Sequence, residues 1–135
     1  MDRKLKHLDF VQGVINRLST NSFLLKGWSV VLVSALFALS ASNTNITFIF
    51  LAYIPAFVFW GLDGFFLSQE KKYRKLYDEI RQLDPDKIDF SMDTRKFDND
   101  KGVSWADATL SKTLIPFHGI LILAVLIVMI LHIKG

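Results

Sequence analysis

Two long stretches of the chain, residues 27–62 and 113–133, contain no Asp, Glu, Lys or Arg. A polar segment at residues 40–45 interrupts the first stretch. A helix needs about 20 residues to cross a hydrocarbon core ~30 Å thick. The first stretch with its flanks therefore predicts a helical hairpin, and the second predicts a single span. The fold class that follows is an all-α integral membrane protein with three transmembrane helices.

The same pattern predicts four consecutive parts of the chain. Residues 1–22 form a cytoplasmic amphipathic helix, and residues 23–67 form the transmembrane hairpin. Residues 68–112 form a cytoplasmic helical stalk and loop, and residues 113–135 form the third transmembrane helix. Three spans enclose little space by themselves, so we expect a site or pore to need several copies of the chain.

Apolar residues recur at helical spacing in the first part of the chain. They are Leu5, Leu8, Val11, Ile15 and Leu18. Such a stripe predicts an amphipathic helix that lies on the membrane or docks on a neighbouring helix. Residues 19–22 are all polar and supply candidates for the N-cap of the first span.

The 16 basic residues give an orientation. Five precede the first span, ten lie in or next to the loop between the second and third spans, and only Lys134 follows the third. The positive-inside rule then places the N-terminus and residues 68–112 in the cytoplasm and the C-terminus outside. The competing hypothesis is a cleaved signal peptide, because Ala38-Leu39-Ser40 resembles a cleavage site after an apolar run.

Helical spacing continues beyond the second span, which predicts a cytoplasmic stalk that ends at Asp84-Pro85. The stalk stripe consists of Tyr73, Leu76, Tyr77, Ile80 and Leu83. This stripe needs a partner surface, and the candidates are the N-terminal helix and the stalk of another subunit. Leu76, Ile80 and Leu83 are accordingly the candidates for an oligomer interface.

Two local patterns follow the stalk. Ile88, Phe90 and Met92 alternate with polar residues, which allows a short strand or an extended segment. The segment Ser104-Trp105-Ala106-Asp107 resembles a capping box with Asp in place of Glu.

The sequence contains no recognisable catalytic motif. It has no glycine-rich phosphate loop, no zinc-protease motif, no nucleophile elbow and no cysteine. His118 and His132 fall at opposite ends of one predicted span, so they cannot share a metal within one subunit, and we interpret both as interfacial. We therefore expect no enzyme activity, no metal site and no cofactor.

Asp63 is the most informative single residue, because a carboxylate near the end of a span is costly toward lipid. One hypothesis makes it part of a pore, next to two glycines and below a proline that predicts a kink in the second span. The pore candidates are Asp63, Pro55, Gly61 and Gly64. The alternative is a structural ion pair with Lys26 across the hairpin, or with Lys71 or Lys72.

A basic run follows the second span and has two interpretations. Juxtamembrane bases attract anionic lipid and set the topology. Bases interleaved with tyrosines can also hold phosphates and stack the bases of a nucleotide or a short single strand. The ligand-binding candidates are Lys71, Lys72, Tyr73, Arg74, Lys75 and Tyr77.

Residues 10–17, 21–28, 53–56 and 59–64 together resemble a family of small bacterial membrane effectors from nucleotide-linked anti-phage defence operons, in particular the channel-forming effectors of the Hailong system. The resemblance covers about the first 80 residues. It implies a protein of the bacterial inner membrane that assembles into a homo-oligomer. It also implies a nucleotide or single-stranded oligonucleotide ligand, made by a partner nucleotidyltransferase, that holds the channel closed.

The expected function is therefore an oligomeric ion-channel or pore-forming effector of abortive anti-phage defence, gated by a nucleotide or oligonucleotide. The alternative is a non-conducting membrane anchor or assembly factor that holds a cytoplasmic partner by its stalk. A third hypothesis is a toxin that disrupts the bilayer without forming a defined channel.

Overall fold

A computed structural model describes residues 2–43 and 46–134. Four α-helices occur in this part of the chain. They are α1 (Asp2–Asn43), α2 (Ile46–Arg81), α3 (Trp105–Thr109) and α4 (Ile115–Lys134). Single turns of 3₁₀-helix lie at Pro85–Lys87 and Arg95–Phe97, and no strand is present among the described residues.

Helices α1, α2 and α4 are long and apolar enough to cross a membrane. Only 11% of the apolar window of α1, and the same share of that of α4, is buried inside the chain. The remaining apolar side chains need an apolar environment that the chain itself does not provide. The predicted all-helical fold with three membrane-spanning helices is confirmed, and the apolar helices suggest a membrane location.

Helix α1 runs without interruption through residues 19–22. The predicted cap at these positions is therefore wrong as a helix boundary. A few Ser, Thr and Asn residues cost a helix only some tenths of a kcal/mol each. The Ser22 hydroxyl bonds to α2 and not to the end of its own helix. Packing against α2 thus joins the predicted N-terminal helix and the first span into one helix.

The stalk is covered by the N-terminal half of α1. Val11 and Ile15 of α1 form a buried cluster with Leu76 and Ile80 of α2, and Ile88 of the following loop completes it. Of the two predicted partner surfaces, the N-terminal helix is the observed one. Leu76 and Ile80 are buried inside the subunit and Leu83 packs against the same cluster. For Leu76 and Ile80 the predicted role as an oligomer interface is wrong, because their own chain already covers them. Leu83 is only half-buried, and its role in an interface stays a prediction.

A second cluster fills the space between the spans. Val33 of α1, Ile49, Ala52 and Ala56 of α2, and Val125 of α4 are all buried there. The two alanines allow the neighbouring helices to approach α2 closely. The cluster thus fills the contact between the three spans with apolar side chains.

Pro55 lies within α2, and the helix continues on both sides of it. Its ring faces a shallow apolar groove between α1 and α2, which Leu32, Leu36 and Val58 also line. Pro55 thus faces the apolar surroundings of the subunit, and its place in a pore stays a prediction.

The connection between α2 and α4 is irregular apart from its short helical turns. The alternation at Ile88, Phe90 and Met92 produces no strand, and Phe90 has a left-handed backbone conformation with φ 56°. All three side chains pack on or in the stalk cluster. The N-cap half of the predicted capping box is confirmed at Ser104, whose hydroxyl accepts a bond from the Asp107 amide at 3.2 Å. The Asp107 carboxylate accepts instead from the Gly102 amide at 3.0 Å. The polar turn at residues 44–45 lies outside the described residues.

Candidate functional site

Asp63 is fully buried, and polar side chains from two other helices surround its carboxylate. Lys26 of α1 places its Nζ 2.7 Å from Asp63 Oδ2, and His118 of α4 places its Nε2 2.8 Å from the same oxygen. The Ser22 hydroxyl donates to Asp63 Oδ1. Lys26 Nζ also donates to Ser22 Oγ at 2.9 Å. We refer to Ser22, Lys26, Asp63 and His118 as the polar junction.

The spacing along α1 explains half of this geometry. Ser22 and Lys26 are four residues apart, so they lie on the same face of the helix. The Asp63 and Lys26 charges compensate each other. An ionised carboxylate only accepts hydrogen bonds, so Nε2 of His118 is the nitrogen that donates to Asp63. His118 Nδ1 is buried and has no partner among the described residues.

The geometry of the polar junction shows which of the candidate lysines pairs with Asp63. The predicted ion pair with Lys26 is present. The pairings with Lys71 and Lys72 are wrong, since those two ammonium groups bond to the loop before α3. A buried carboxylate stays ionised only where hydrogen bonds and opposite charge replace its hydration. Asp63 therefore joins three helices, and its role in a conducting path stays a prediction.

Sequence reasoning missed His118 and Ser22. The interpretation of His118 as interfacial gives its depth but not its partner, and the side chain is fully buried between α4 and α2. The available signal was its place near the start of a very apolar helix, because an ionisable residue within a span turns toward protein partners. His118 also lies parallel to the Trp60 ring, with 6.0 Å between the ring centroids.

Helix α3 packs on α2 at Gly61 and Gly64. A methyl group at Gly64 would lie 2.0 Å from Thr109 Oγ1, a distance that no carbon contact tolerates. Trp105 Nε1 donates to the Gly61 carbonyl at 2.9 Å, and Trp60 Nε1 donates to the Thr109 carbonyl at 2.8 Å. The absence of a side chain at Gly64 thus allows α3 of the same chain to approach α2 closely.

The basic run after the second span binds the loop of its own chain. Lys72 pairs with Asp98 at 2.8 Å, and Lys75 pairs with Asp100 at 3.1 Å. Lys71 Nζ donates to the carbonyl of Gly102 at 3.1 Å. These contacts attach the loop to the stalk. A phosphate ligand would have to displace Asp98 and Asp100 to reach the lysines.

The remaining ligand candidates divide into two groups. Tyr73 and Tyr77 are half-buried against the stalk cluster, so neither ring is free to stack on a base from both faces. Arg74 is exposed and pairs with Glu70 within its helix at 3.4 Å. Arg74 and Tyr77 line a small polar groove with Gln12 of α1. The structure thus separates these two residues from the loop-bound lysines.

Within residues 2–43 and 46–134, no group of three or more His, Cys, Asp or Glu side chains could hold a metal ion. Comparisons of the chain with protein-family models, curated proteins and solved structures found no significant match. The arguments for function therefore come from the polar junction, from the apolar surface and from the resemblance of the sequence.

Proposed function

We propose that this protein is an ion-conducting homo-oligomer of the bacterial inner membrane, acting as an effector of abortive anti-phage defence. The polar junction supports the proposal, because it joins the three spans of one copy, whose packing would have to change for a path to open. Ionisable side chains near membrane spans are expensive, and they commonly mark ion pathways or gates. The resemblance of residues 10–17, 21–28, 53–56 and 59–64 supplies the defence setting and the nucleotide or oligonucleotide ligand.

Conduction would take place between subunits. The buried residues Val33, Ala52, Ala56 and Val125 fill the contact between the three spans of one subunit with apolar side chains. The outward faces of α1, α2 and α4 are apolar and exposed, so they are available to lipid and to further copies. A path lined by these faces would open when the copies change their packing, and the junction would keep the three helices of each copy together during that change.

Current recordings on purified protein in planar bilayers test this proposal. The chain contains no cysteine, so single cysteines can be placed on each outward face without a background signal. Val31→Cys, Ile54→Cys and Ile127→Cys replace exposed residues on α1, α2 and α4, respectively. We expect stepwise currents, and we expect water-soluble thiol reagents to block them in the variant whose face lines the path.

The control for these variants is Arg81→Cys, at an exposed position at the end of the stalk. Its modification should leave the current unchanged. Absence of any current from the unmodified protein, at protein densities that show intact assembly, would contradict conduction and favour the anchor.

Ligand control can be tested separately by fluorescence anisotropy with a labelled single-stranded adenylate DNA oligomer. If the basic run binds it, Asp98→Asn combined with Asp100→Asn should raise the affinity severalfold, because the competing carboxylates are gone. Lys72→Gln combined with Lys75→Gln should lower the affinity and reduce its salt dependence. An oligomer that binds none of these proteins would contradict nucleotide control through this run.

The second candidate is the non-conducting membrane anchor, and the folded stalk favours it. The loop, the basic run and the N-terminal half of α1 form one assembly with its own apolar core. Such an assembly provides a stable surface for a partner protein. If the protein is a non-conducting anchor, it should give no current. Its stalk should then remain folded in every variant that gives no current.

A further inference from the structure

All three tryptophans of the chain lie at the level of the polar junction. Trp28 follows Lys26 by two residues on α1. Trp60 lies parallel to His118, and Trp105 of α3 donates to the carbonyl of Gly61, two residues before Asp63. Tryptophan is enriched where a membrane meets water, because its indole is apolar and carries one polar group.

The lengths of the helices beyond the junction agree with this position. From Lys26, Asp63 and His118, each helix continues for 16 or 17 residues to Asn43, Ile46 and Lys134, respectively. At 1.5 Å per residue this length is about 25 Å, close to the hydrocarbon thickness of a bilayer. The junction and the tryptophans therefore lie at one membrane boundary, on the side of the stalk.

Helix α3 exposes two large apolar side chains at this boundary. Trp105 is 55% exposed and Leu110, directly after the helix, is 64% exposed. Ala108 faces the opposite way and packs with Leu67 and Leu114. The Trp105 N–H is already bonded to Gly61, so its ring can enter an apolar layer without carrying an unpaired donor.

We propose that Trp105 and Leu110 insert into the lipid headgroup layer on the stalk side and make α3 an interfacial anchor. The occupant of this surface is the bilayer itself. Lys101 and Lys112 are exposed on either side of α3, which suits a layer that contains anionic headgroups. The inference rests on the membrane location of the three spans and is independent of conduction.

The anchor would link the lipid surface to the polar junction. Helix α3 contacts α2 at Gly61 and Gly64, and Trp60 joins it to His118 through the Thr109 carbonyl. Helix α3 is thus in direct contact with the residues beside Asp63.

Quenching by brominated lipids tests the insertion in the full chain. Leu110→Cys, Ile127→Cys and Arg81→Cys each receive an environment-sensitive fluorophore, and the proteins are reconstituted in vesicles of phosphatidylcholine and phosphatidylglycerol. Ile127 is exposed near the middle of α4 and serves as the deep control. Arg81 is exposed at the stalk end and serves as the water control.

We expect lipids brominated near the headgroup to quench the Leu110 probe more strongly than lipids brominated near the chain end. The order should reverse for the Ile127 probe, and only aqueous iodide should quench the Arg81 probe. A Leu110 probe that iodide quenches as strongly as the Arg81 probe would overturn the proposal. Protection from both quenchers, together with disulfide cross-linking of Leu110→Cys between copies, would assign the surface to a second copy and also overturn it.

Discussion

At the residue scale, Asp63 and Lys26 form a charge pair whose energetics differ from those of the surface pairs. Asp63 is fully buried, and the Lys26 side chain is only partly exposed. Removing one partner of a buried pair leaves the other charge without compensation and costs about 3–5 kcal/mol. A solvent-exposed pair such as Arg81 with Asp78 contributes at most about 1 kcal/mol.

We therefore predict that Asp63→Asn and Lys26→Met each lower the unfolding temperature in detergent, and that the double variant recovers part of the loss. The recovery follows because the double variant leaves no unpaired charge. Asp9→Asn, at an exposed position of α1, is the matched control and should leave the temperature unchanged. An Asp63→Asn protein with normal stability and altered ion selectivity would instead support a direct role in the pore.

The two glycines beside Asp63 give a second prediction. Gly64→Ala should destabilise the protein by about 1–3 kcal/mol, because overpacking against Thr109 displaces α3. Gly61→Ala is the control, since its added methyl group meets only the Trp105 ring at an ordinary 3.7 Å. Thermal unfolding of both variants is the measurement. Equal stability of the two variants would show that α3 moves away from Gly64 with little loss of free energy of unfolding.

At the element scale, hydrophobic spacing predicted the long apolar helices and the apolar stripe of the stalk. It failed where the outcome depends on which elements meet. Residues 19–22 have cap chemistry, yet α1 continues through them because Ser22 bonds to Asp63 on α2. For the stalk stripe the sequence offers two partner surfaces, the N-terminal helix and the stalk of another subunit, and only the structure shows that Val11 and Ile15 of the N-terminal helix cover it. Local periodicity shows that a face must be buried but not by which surface.

The stalk cluster predicts a cost for truncating its core. Ile80→Ala should lower the free energy of unfolding by about 2–5 kcal/mol, since Ile80 is buried between α1 and the loop. Arg81→Ala, one residue later and exposed, should change it by no more than about 0.5 kcal/mol. Hydrogen exchange in the N-terminal half of α1 should accelerate in the first variant alone.

The same packing gives a prediction for a more severe variant. Leu76→Asp combined with Ile80→Asp should detach the N-terminal half of α1 from the stalk and leave the assembly size in detergent unchanged. Limited proteolysis and light scattering measure these two effects. A smaller assembly with α1 still protected would restore the oligomer interface at these residues.

At the scale of the whole molecule, the sequence located the membrane-spanning helices, the candidate carboxylate and its partner Lys26. It did not locate His118, because 55 residues separate it from Asp63 and only the packing of α4 on α2 brings them together. It also did not show that the basic run binds Asp98 and Asp100, since these acids lie in a loop without periodicity. Pairings across irregular loops depend on the complete fold, so spacing alone does not determine them.

Orientation in the membrane provides the last prediction, and the charge distribution determines its sign. Fifteen of the 16 basic residues lie on the stalk side or at the polar junction, and only Lys134 lies at the opposite end. The positive-inside rule therefore predicts that the stalk lies in the cytoplasm. A reporter that is active only outside the cytoplasm should work after Gly135 and fail when inserted at Asn99. A reporter that is active only in the cytoplasm should show the reverse, which controls for expression. Activity of the external reporter at Asn99 would show that the molecule has the opposite orientation, with the Trp105 surface at the outer leaflet.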